Sequence, residues 1–494
     1  MSKIEPIRNP AIKFTQLFIE NKWQNSSDGA TCDVINPATE ELICKVQIGN
    51  ESDVNAAVAA ARRAFQPDAP WRLMDASQRG RLMEKLCDLI ERDRTYLASL
   101  ETIDSGKAFS NAYDEMGYSV DCLRYYAGWC DKIHGTTVPC DGEFVCMTRR
   151  EPVGVVGQII PWNYPLMMVA WKLGPALATG CTIVLKPSEL TPLSALYVAS
   201  LVAEAGFPPG VVNIVVGYGV GVGTAITNHP DVDKVAFTGS TAVGRDVMRS
   251  AAVSNLKRCT FELGGKSPLV VCEDCHDLDE AVKISHNAIF GNHGQNCCAG
   301  SRTFVHESIY DEFVKKATEL AKKRVLGDPF AADTQQGPQV SQVQMNRILK
   351  YIDSGVRDGA KVEFGGARWG NKGFFVSPTV FSGVTDDMTI AKEEIFGPVQ
   401  SILKYSSFDD VIRRANATSY GLASGILTKD ITKALYFAKR IQAGSVWVNC
   451  YDAVLTQTPF GGFKQSGHGR ELGESGLDEY LEDKTITIKV PAKL

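Results

Sequence analysis

The chain has 494 residues, 44% hydrophobic and 22% charged, enough to bury more than one core and without the compositional mark of disorder. A formal net charge of −5 gives no basic footprint for nucleic acid or an anionic membrane surface. A bilayer span needs roughly 18 consecutive apolar residues, and no run is that long. Fourteen cysteines are scattered between Cys32 and Cys450. Cys272-Glu273-Asp274-Cys275 has the C-x-x-C form, yet no second pair follows at zinc spacing, and no metal is expected. Residues 1–17 hold no continuous apolar core. The start Met1-Ser2-Lys3-Ile4-Glu5, acidic and poor in arginine, is unlike a mitochondrial presequence. Reduced thiols and a cytoplasmic location are the expectation.

Residues 16–48 read as short extended runs interrupted at Asn36-Pro37-Ala38-Thr39. The alanine-rich run Val54–Phe65 reads as a helix with Ser52 as its N-cap. Apolar spacing of three and four predicts further helices over Ser77–Arg92 and Tyr113–Trp129. From Thr137 to Ile160 the pattern turns β-like, through Phe144–Met147 and Val153–Val156. Strand and helix then alternate: strand Thr182–Leu185, helix Pro192–Glu204, strands Val211–Val216 and Lys234–Phe237, and a helix after Ser240. This alternation predicts right-handed βαβ units in an open parallel sheet, and it resumes from Pro268–Val271 as a second α/β unit. Thr485–Val490 alternates β-branched and polar residues with no helix after it; it reads as an edge strand or as a strand added to another sheet.

Three stretches carry chemistry. Gly294-Gln295-Asn296-Cys297-Cys298-Ala299-Gly300 lies between the helical run Asp279–Ile289 and the β-like run Thr303–Val305, where glycines let a backbone bend and present a thiol. Such a thiol is a candidate nucleophile if a base comes from elsewhere; the plain alternative is two small buried hydrophobes. Gly239-Ser240-Thr241, between a strand and a helix, offers the helix N-terminus that a pyrophosphate requires. Gly217–Gly223 is glycine-rich but does not fit G-x-G-x-x-G, and reads as a flexible loop. Lys186-Pro187-Ser188-Glu189 follows a strand. A carboxylate placed there can bond ribose hydroxyls and repel a 2′-phosphate, although a solvated ion pair is the plainer reading.

Five motifs in order are Pro161-Trp162-Asn163-Tyr164-Pro165, Phe237-Thr238-Gly239-Ser240-Thr241 with Gly244, Phe261-Glu262-Leu263-Gly264-Gly265-Lys266-Ser267, Gln295-Asn296-Cys297, and Glu393-Glu394-Ile395-Phe396-Gly397-Pro398. Together they resemble the NAD-dependent aldehyde dehydrogenase family over nearly the whole chain, nearest to its animal cytosolic and mitochondrial branch. The resemblance implies an α/β fold with an open parallel-sheet NAD-binding domain over residues 1–133 and 153–263. A second α/β catalytic domain over 264–465 and a small β oligomerisation arm over 134–152 and 480–494 complete it. It implies a homotetramer, a dimer of dimers, with a small aldehyde as substrate and no nucleic-acid or membrane partner.

The same resemblance implies oxidation of aldehydes to acids with NAD, through a thiohemiacetal and a thioester on Cys297. Glu262 would be the base for thioester hydrolysis, and Asn163 with the Cys297 N–H would hold the oxyanion. Lys186 and Glu189 would hold the adenosine ribose; Glu394 and Phe396 the nicotinamide ribose. Gly239, Ser240 and Gly244 would meet the pyrophosphate. Ile159, Pro161, Trp162, Gly219, Phe237, Leu263, Gly264 and Arg347 would complete the cofactor site. Tyr118, Tyr164, Trp171, Cys298, Val454 and Phe460 would line the substrate tunnel. Lys172 and Glu471 match positions of proton exit, or else form a structural ion pair. Asn296 departs from close relatives, which often carry another cysteine there.

Tyr118 stands where the retinal-oxidising branch has a glycine, which narrows the tunnel mouth. Val454 replaces a larger aromatic of the acetaldehyde-type branch, which widens it lower down. The balance favours short and medium aliphatic or small aromatic aldehydes. The alternatives are a retinal dehydrogenase making retinoic acid, a non-catalytic structural relative, and a thiol esterase without redox chemistry. Cys297, Glu262, Asn163 and the cofactor motifs weigh against the last two.

Overall fold

A computed structural model describes residues 4–490; the outermost ends of the expected first segment and arm, 1–3 and 491–494, lie outside the described residues. The alanine-rich run folds as the helix Glu51–Ala64, and its cap is Asn50 rather than Ser52. Asn50 Oδ1 accepts from the Ser52 N–H at 2.8 Å, and the Asp53 carboxylate accepts from the Asn50 N–H at 2.9 Å. A cap at Ser52 would place Asn55 at the reciprocal position, with no carboxylate to answer it.

The first sheet has eight strands, in the order Gly467–His468, Arg258–Glu262, Lys234–Thr238, Val155–Ile159, Thr182–Lys186, Val212–Ile214, Leu17–Ile19, Lys22–Gln24. The five central strands are parallel, as the alternation predicts, and the outer ones are antiparallel. Helices cover both faces, so the central strands read as unbroken buried runs. Register sets Ile159 beside both Lys186 and Phe237, and Thr238 beside Glu262. Three of the expected site residues, Ile159, Lys186 and Phe237, thus share one row along the carboxyl ends of the strands, with Glu262 one residue further on, where open α/β sheets hold their ligands.

The second sheet has seven strands, in the order Lys361–Phe364, Thr379–Val384, Val399–Tyr405, Arg302–His306, Pro268–Val271, Ala423–Leu427, Ser445–Val448. Only the first is antiparallel. The tail forms the strand Leu481–Lys489, which pairs antiparallel along all of Phe144–Pro152. With Thr137–Val138 these make a separate three-stranded sheet, so the tail is both an edge strand and an addition to a hairpin. Gly217–Gly223 is not a free loop. Val222 is buried, and the Gly223 N–H donates to the Tyr218 carbonyl at 3.2 Å on the way into the short helix Thr224–Asn228. Among the described residues no helix is long and apolar enough to cross a membrane.

Candidate active site

A cavity of about 1040 Å³ opens beside the carboxyl row of the first sheet, walled on its far side by the cysteine turn. The helix Leu278–Phe290 ends in a tight turn in which Asn292 and His293 take left-handed backbone angles, φ 44° and 61°. The His293 ring fixes that turn: Nδ1 meets the Pro338 carbonyl at 2.9 Å, and Nε2 accepts from the Gly337 N–H at 3.1 Å. Burial and Arg324 push its pKa down to about 3, so the ring is neutral near neutral pH. The chain then presents Cys297, half-buried, to the cavity, with Cys298 buried beside it.

The two glycines after Glu262-Leu263 have separate tasks. A Cβ at Gly265 would collide with the Cys297 carbonyl, and one at Gly264 with the Glu394 carboxylate. Glu262 itself ends its strand buried against the cavity, and its Oε2 has no partner among the described residues. Burial, with the nearby Glu471 charge, raises its carboxyl well above the ordinary range, and Lys172 opposes them. Lys172 pairs with Glu471 and donates to Thr238 Oγ1 at 2.6 Å. Lys172 lies behind the cavity wall while Glu471 and Thr238 reach it. Lys172 and Glu471 thus form a buried ion pair at the cavity wall, within electrostatic reach of Glu262.

Asn163 precedes the helix Pro165–Thr179. One of its two amide N–H groups donates to the Gln295 carbonyl at 3.0 Å, which ties it to the cysteine turn and leaves the other for a ligand. Trp171 from the same helix meets Phe460 edge-on, ring centres 5.4 Å apart, and both line the cavity with Tyr164, Cys298 and Val454. Tyr118 stands at the mouth, 63% exposed, whereas Gly117 faces the Arg94 guanidinium on the other side of its helix. Tyr118 is the cavity residue of the two.

At the other end Pro161, Trp162, Gly239, Ser240, Leu263, Gly264, Arg347, Glu394 and Phe396 line the same cavity. Trp162 and Phe396 stand perpendicular, centres 5.3 Å apart. Glu394 Oε1 accepts from the Gly265 N–H at 2.9 Å, and burial raises its pKa to about 7. Ser240 caps the helix Thr241–Val253, whose first turn has no acidic residue and whose Thr241 Oγ1 is buried without a partner among the described residues. Lys186 and Glu189 pair at 3.4 Å farther along the strand ends, where Gly223 lies against the Lys186 side chain; the pair, Gly219 and Gly223 lie beyond this cavity. Ile159, Phe237 and Gly244 sit behind the lining, Gly244 directly under Leu263. A dinucleotide fits this set: a helix N-terminus without negative charge for its pyrophosphate, and a carboxylate at each end for its two riboses.

Sequence reasoning missed Asp452. Its backbone is left-handed, φ 58°, and its carboxylate accepts from Asn296 Nδ2 at 2.8 Å and from the Cys298 thiol at 3.0 Å. Asn296, noted only as a departure, thus makes a buried polar bridge. A hydrogen bond with Cys297, together with burial, raises the Cys298 thiol well above its ordinary range. An aspartate 154 residues from Cys298 carries no local signal; the bend required at residue 452 was the only hint.

A model of the aldehyde dehydrogenase family matches residues 23–486. The chain is 59% identical over 489 residues to aldehyde dehydrogenase 1A1 of Oryctolagus cuniculus, covering 99% of this chain and 98% of the relative. It is 58% identical to the cytosolic aldehyde dehydrogenase 1 of Mus musculus, with 99% and 97% covered. Its fold matches the NAD⁺ complex of the aldehyde dehydrogenase from Bacillus cereus with a TM-score of 0.95, at 50% identity and 97% of each chain. With the thiol, the buried carboxylate and the Glu394 end of a dinucleotide cradle in one cavity, the chain belongs to the aldehyde dehydrogenase family, NAD-dependent oxidoreductases that convert aldehydes to carboxylic acids.

Proposed function

We propose that Cys297 carries the reaction, with Asn163 and Glu262 in support, and that short and medium aliphatic or small aromatic aldehydes are the preferred substrates. The observation behind this reading is that one cavity holds the Cys297 thiol, the unpartnered Glu262 oxygen and the Glu394 end of the cofactor cradle. The Cys297 thiolate adds to the aldehyde carbon, and the carbonyl oxygen becomes an alkoxide. That alkoxide meets the second N–H of Asn163 and the backbone N–H of Cys297, donors that in other oxyanion holes are worth roughly 2.7–4 kcal/mol each. When bound, held by Glu394, Phe396, Trp162, Lys186, Glu189 and the helix start at Ser240, NAD supplies the acceptor for the hydride leaving this carbon. What remains on Cys297 is a thioester. Glu262 then takes a proton from water, the hydroxide attacks the thioester, and the acid leaves as the thiolate is restored. The proton passes from Glu262 toward Glu471 and Lys172.

Tyr118 at the mouth supports the smaller substrates, since its ring occupies width that a bulky cyclic group needs. The division into an NAD-binding unit (1–133 and 153–263), a catalytic unit (264–465) and an arm (134–152 and 480–494) is supported by the separate eight-, seven- and three-stranded sheets. A homotetramer is supported by the small, largely exposed arm sheet and its free edge. A cytoplasmic location is supported by fourteen free thiols and by the name of the mouse relative. The test is Cys297→Ala: NADH formation from propanal stops, while NADH fluorescence on binding is kept. An active Cys297→Ala beside a dead Cys298→Ala would overturn the assignment.

A further inference from the structure

The helix Pro165–Thr179 follows Asn163 closely, yet it starts without a cap of its own, because Tyr164 makes no side-chain bond to the exposed N–H groups. One of those groups is met from 65 residues upstream: Glu101 Oε2 accepts from the Leu166 N–H at 3.1 Å. The other Glu101 oxygen holds Lys107 Nζ at 2.9 Å. Lys107 also pairs with Glu115, and its ammonium lies 4.5 Å from the centre of the Tyr164 ring. All three charged side chains are buried. Burial and Glu101 raise the Glu115 carboxyl well above the ordinary range.

A buried ionic cluster is seldom kept for stability, since apolar residues of like volume do as well or better. This one has no part in the chemistry described above, but its contacts fall on Tyr164 and Leu166, immediately after Asn163. On the opposite side Asn292 Nδ2 donates to the Asn163 carbonyl at 2.9 Å, and the Asn163 amide reaches Gln295. The segment 163–166 is thus gripped from two directions, by the cysteine turn and by Glu101 with Lys107.

We propose that Glu101 is a positioning residue for aldehyde oxidation: by capping the helix at Leu166 and setting Lys107 against Tyr164, it fixes the Asn163 donor beside Cys297. This rests on the role given to Asn163 above. Glu101 does not line the cavity, and its effect on the first turnover passes through the placement of Asn163.

The test is the rate of the first NADH turnover, by rapid mixing with propanal, in a cycle of Glu101→Gln, Asn163→Ala and the double variant. Glutamine keeps the shape and an acceptor for Leu166 but withdraws the charge from Lys107. The expected result is a first turnover about tenfold slower in Glu101→Gln, with NADH affinity within about twofold of native. Added to Asn163→Ala, Glu101→Gln should slow the first turnover no further. A full, independent slowing in the double variant overturns the proposal, as does native behaviour of Glu101→Gln. If Asn163→Ala alone leaves the first turnover unchanged, the oxyanion role of Asn163 falls first, and the proposal with it. Should Glu101→Gln give little folded protein, Glu101→Asp, which draws the carboxylate back from Leu166, is carried through the same cycle with the same criteria.

Discussion

The two ends of the cavity are built differently. At the cofactor end the pieces are neighbours by register: Ile159, Lys186 and Phe237 fall in one row because the strands that carry them are hydrogen-bonded side by side. Backbone groups and strand ends do most of the holding there. At the thiol end Asn163, Glu262, Cys297, Asp452 and Glu471 come from five separate segments and meet through side chains. A shared ladder spreads its contacts over many atoms, so single changes should give graded losses. A convergent set of side chains depends on individual atoms, so single changes there should be severe.

The neighbouring glycines 264 and 265 divide this contrast within two residues. Gly265→Ala sets a methyl against the Cys297 carbonyl, a backbone atom that cannot swing aside. A displacement of about 1 Å at the nucleophile is worth roughly 100-fold, so kcat should fall by about that factor with NADH affinity within about threefold. Gly264→Ala meets the Glu394 carboxylate, a side-chain end that can rotate. Its effect should be on the order of tenfold and fall mainly on the KM for NAD. Equal losses from the two would erase the distinction between the ends.

Next in size is the tunnel mouth. Tyr118→Gly should raise kcat/KM for retinal by about tenfold relative to propanal, because the removed ring frees width for a cyclic group. Native protein that already prefers retinal, or a variant with unchanged turnover of it, shows that Tyr118 is not the gate. The smallest effect belongs to the cofactor end. Glu189→Gln should narrow the preference for NAD over NADP by roughly 1 kcal/mol, about fivefold in the ratio of kcat/KM values, since one repulsive carboxylate is removed. An unchanged ratio would move the ribose contact elsewhere.

The same contrast explains what could be read in advance. The strands of the cofactor end announce themselves by apolar runs between helical spacings, and Gly239-Ser240 by its place between them; these came through with shifts of a residue or two at their ends. Cys297, Glu262 and Asn163 were reached only through the motifs around them, since nothing local says that a glutamate and a cysteine 35 positions on will share a cavity. Asp452 and the Glu101–Lys107–Glu115 cluster had no such motif. Their meaning lies in partners far along the chain, and a buried charge looks like a surface charge until its partner is seen. The Ser52 cap failed for a smaller reason: the helix begins at Glu51, three residues before the apolar run at Val54, and Asp53 as the returning carboxylate decided between two good capping residues.

The most direct measurement is rapid mixing of Glu262→Gln with NAD and propanal across pH. Burial and Glu471 hold the Glu262 carboxyl well above the ordinary carboxylate range, and only its deprotonated form can take a proton from water. In native protein the steady rate should therefore fall as pH falls through that raised pKa, while the first turnover of NADH does not fall with it. In Glu262→Gln one equivalent of NADH should form at close to the native rate, followed by a steady phase slower by roughly 100-fold or more that has lost this acid limb. Loss of the first turnover as well would contradict the account, because Glu262 would then act on the thiol before hydride leaves rather than on water afterwards.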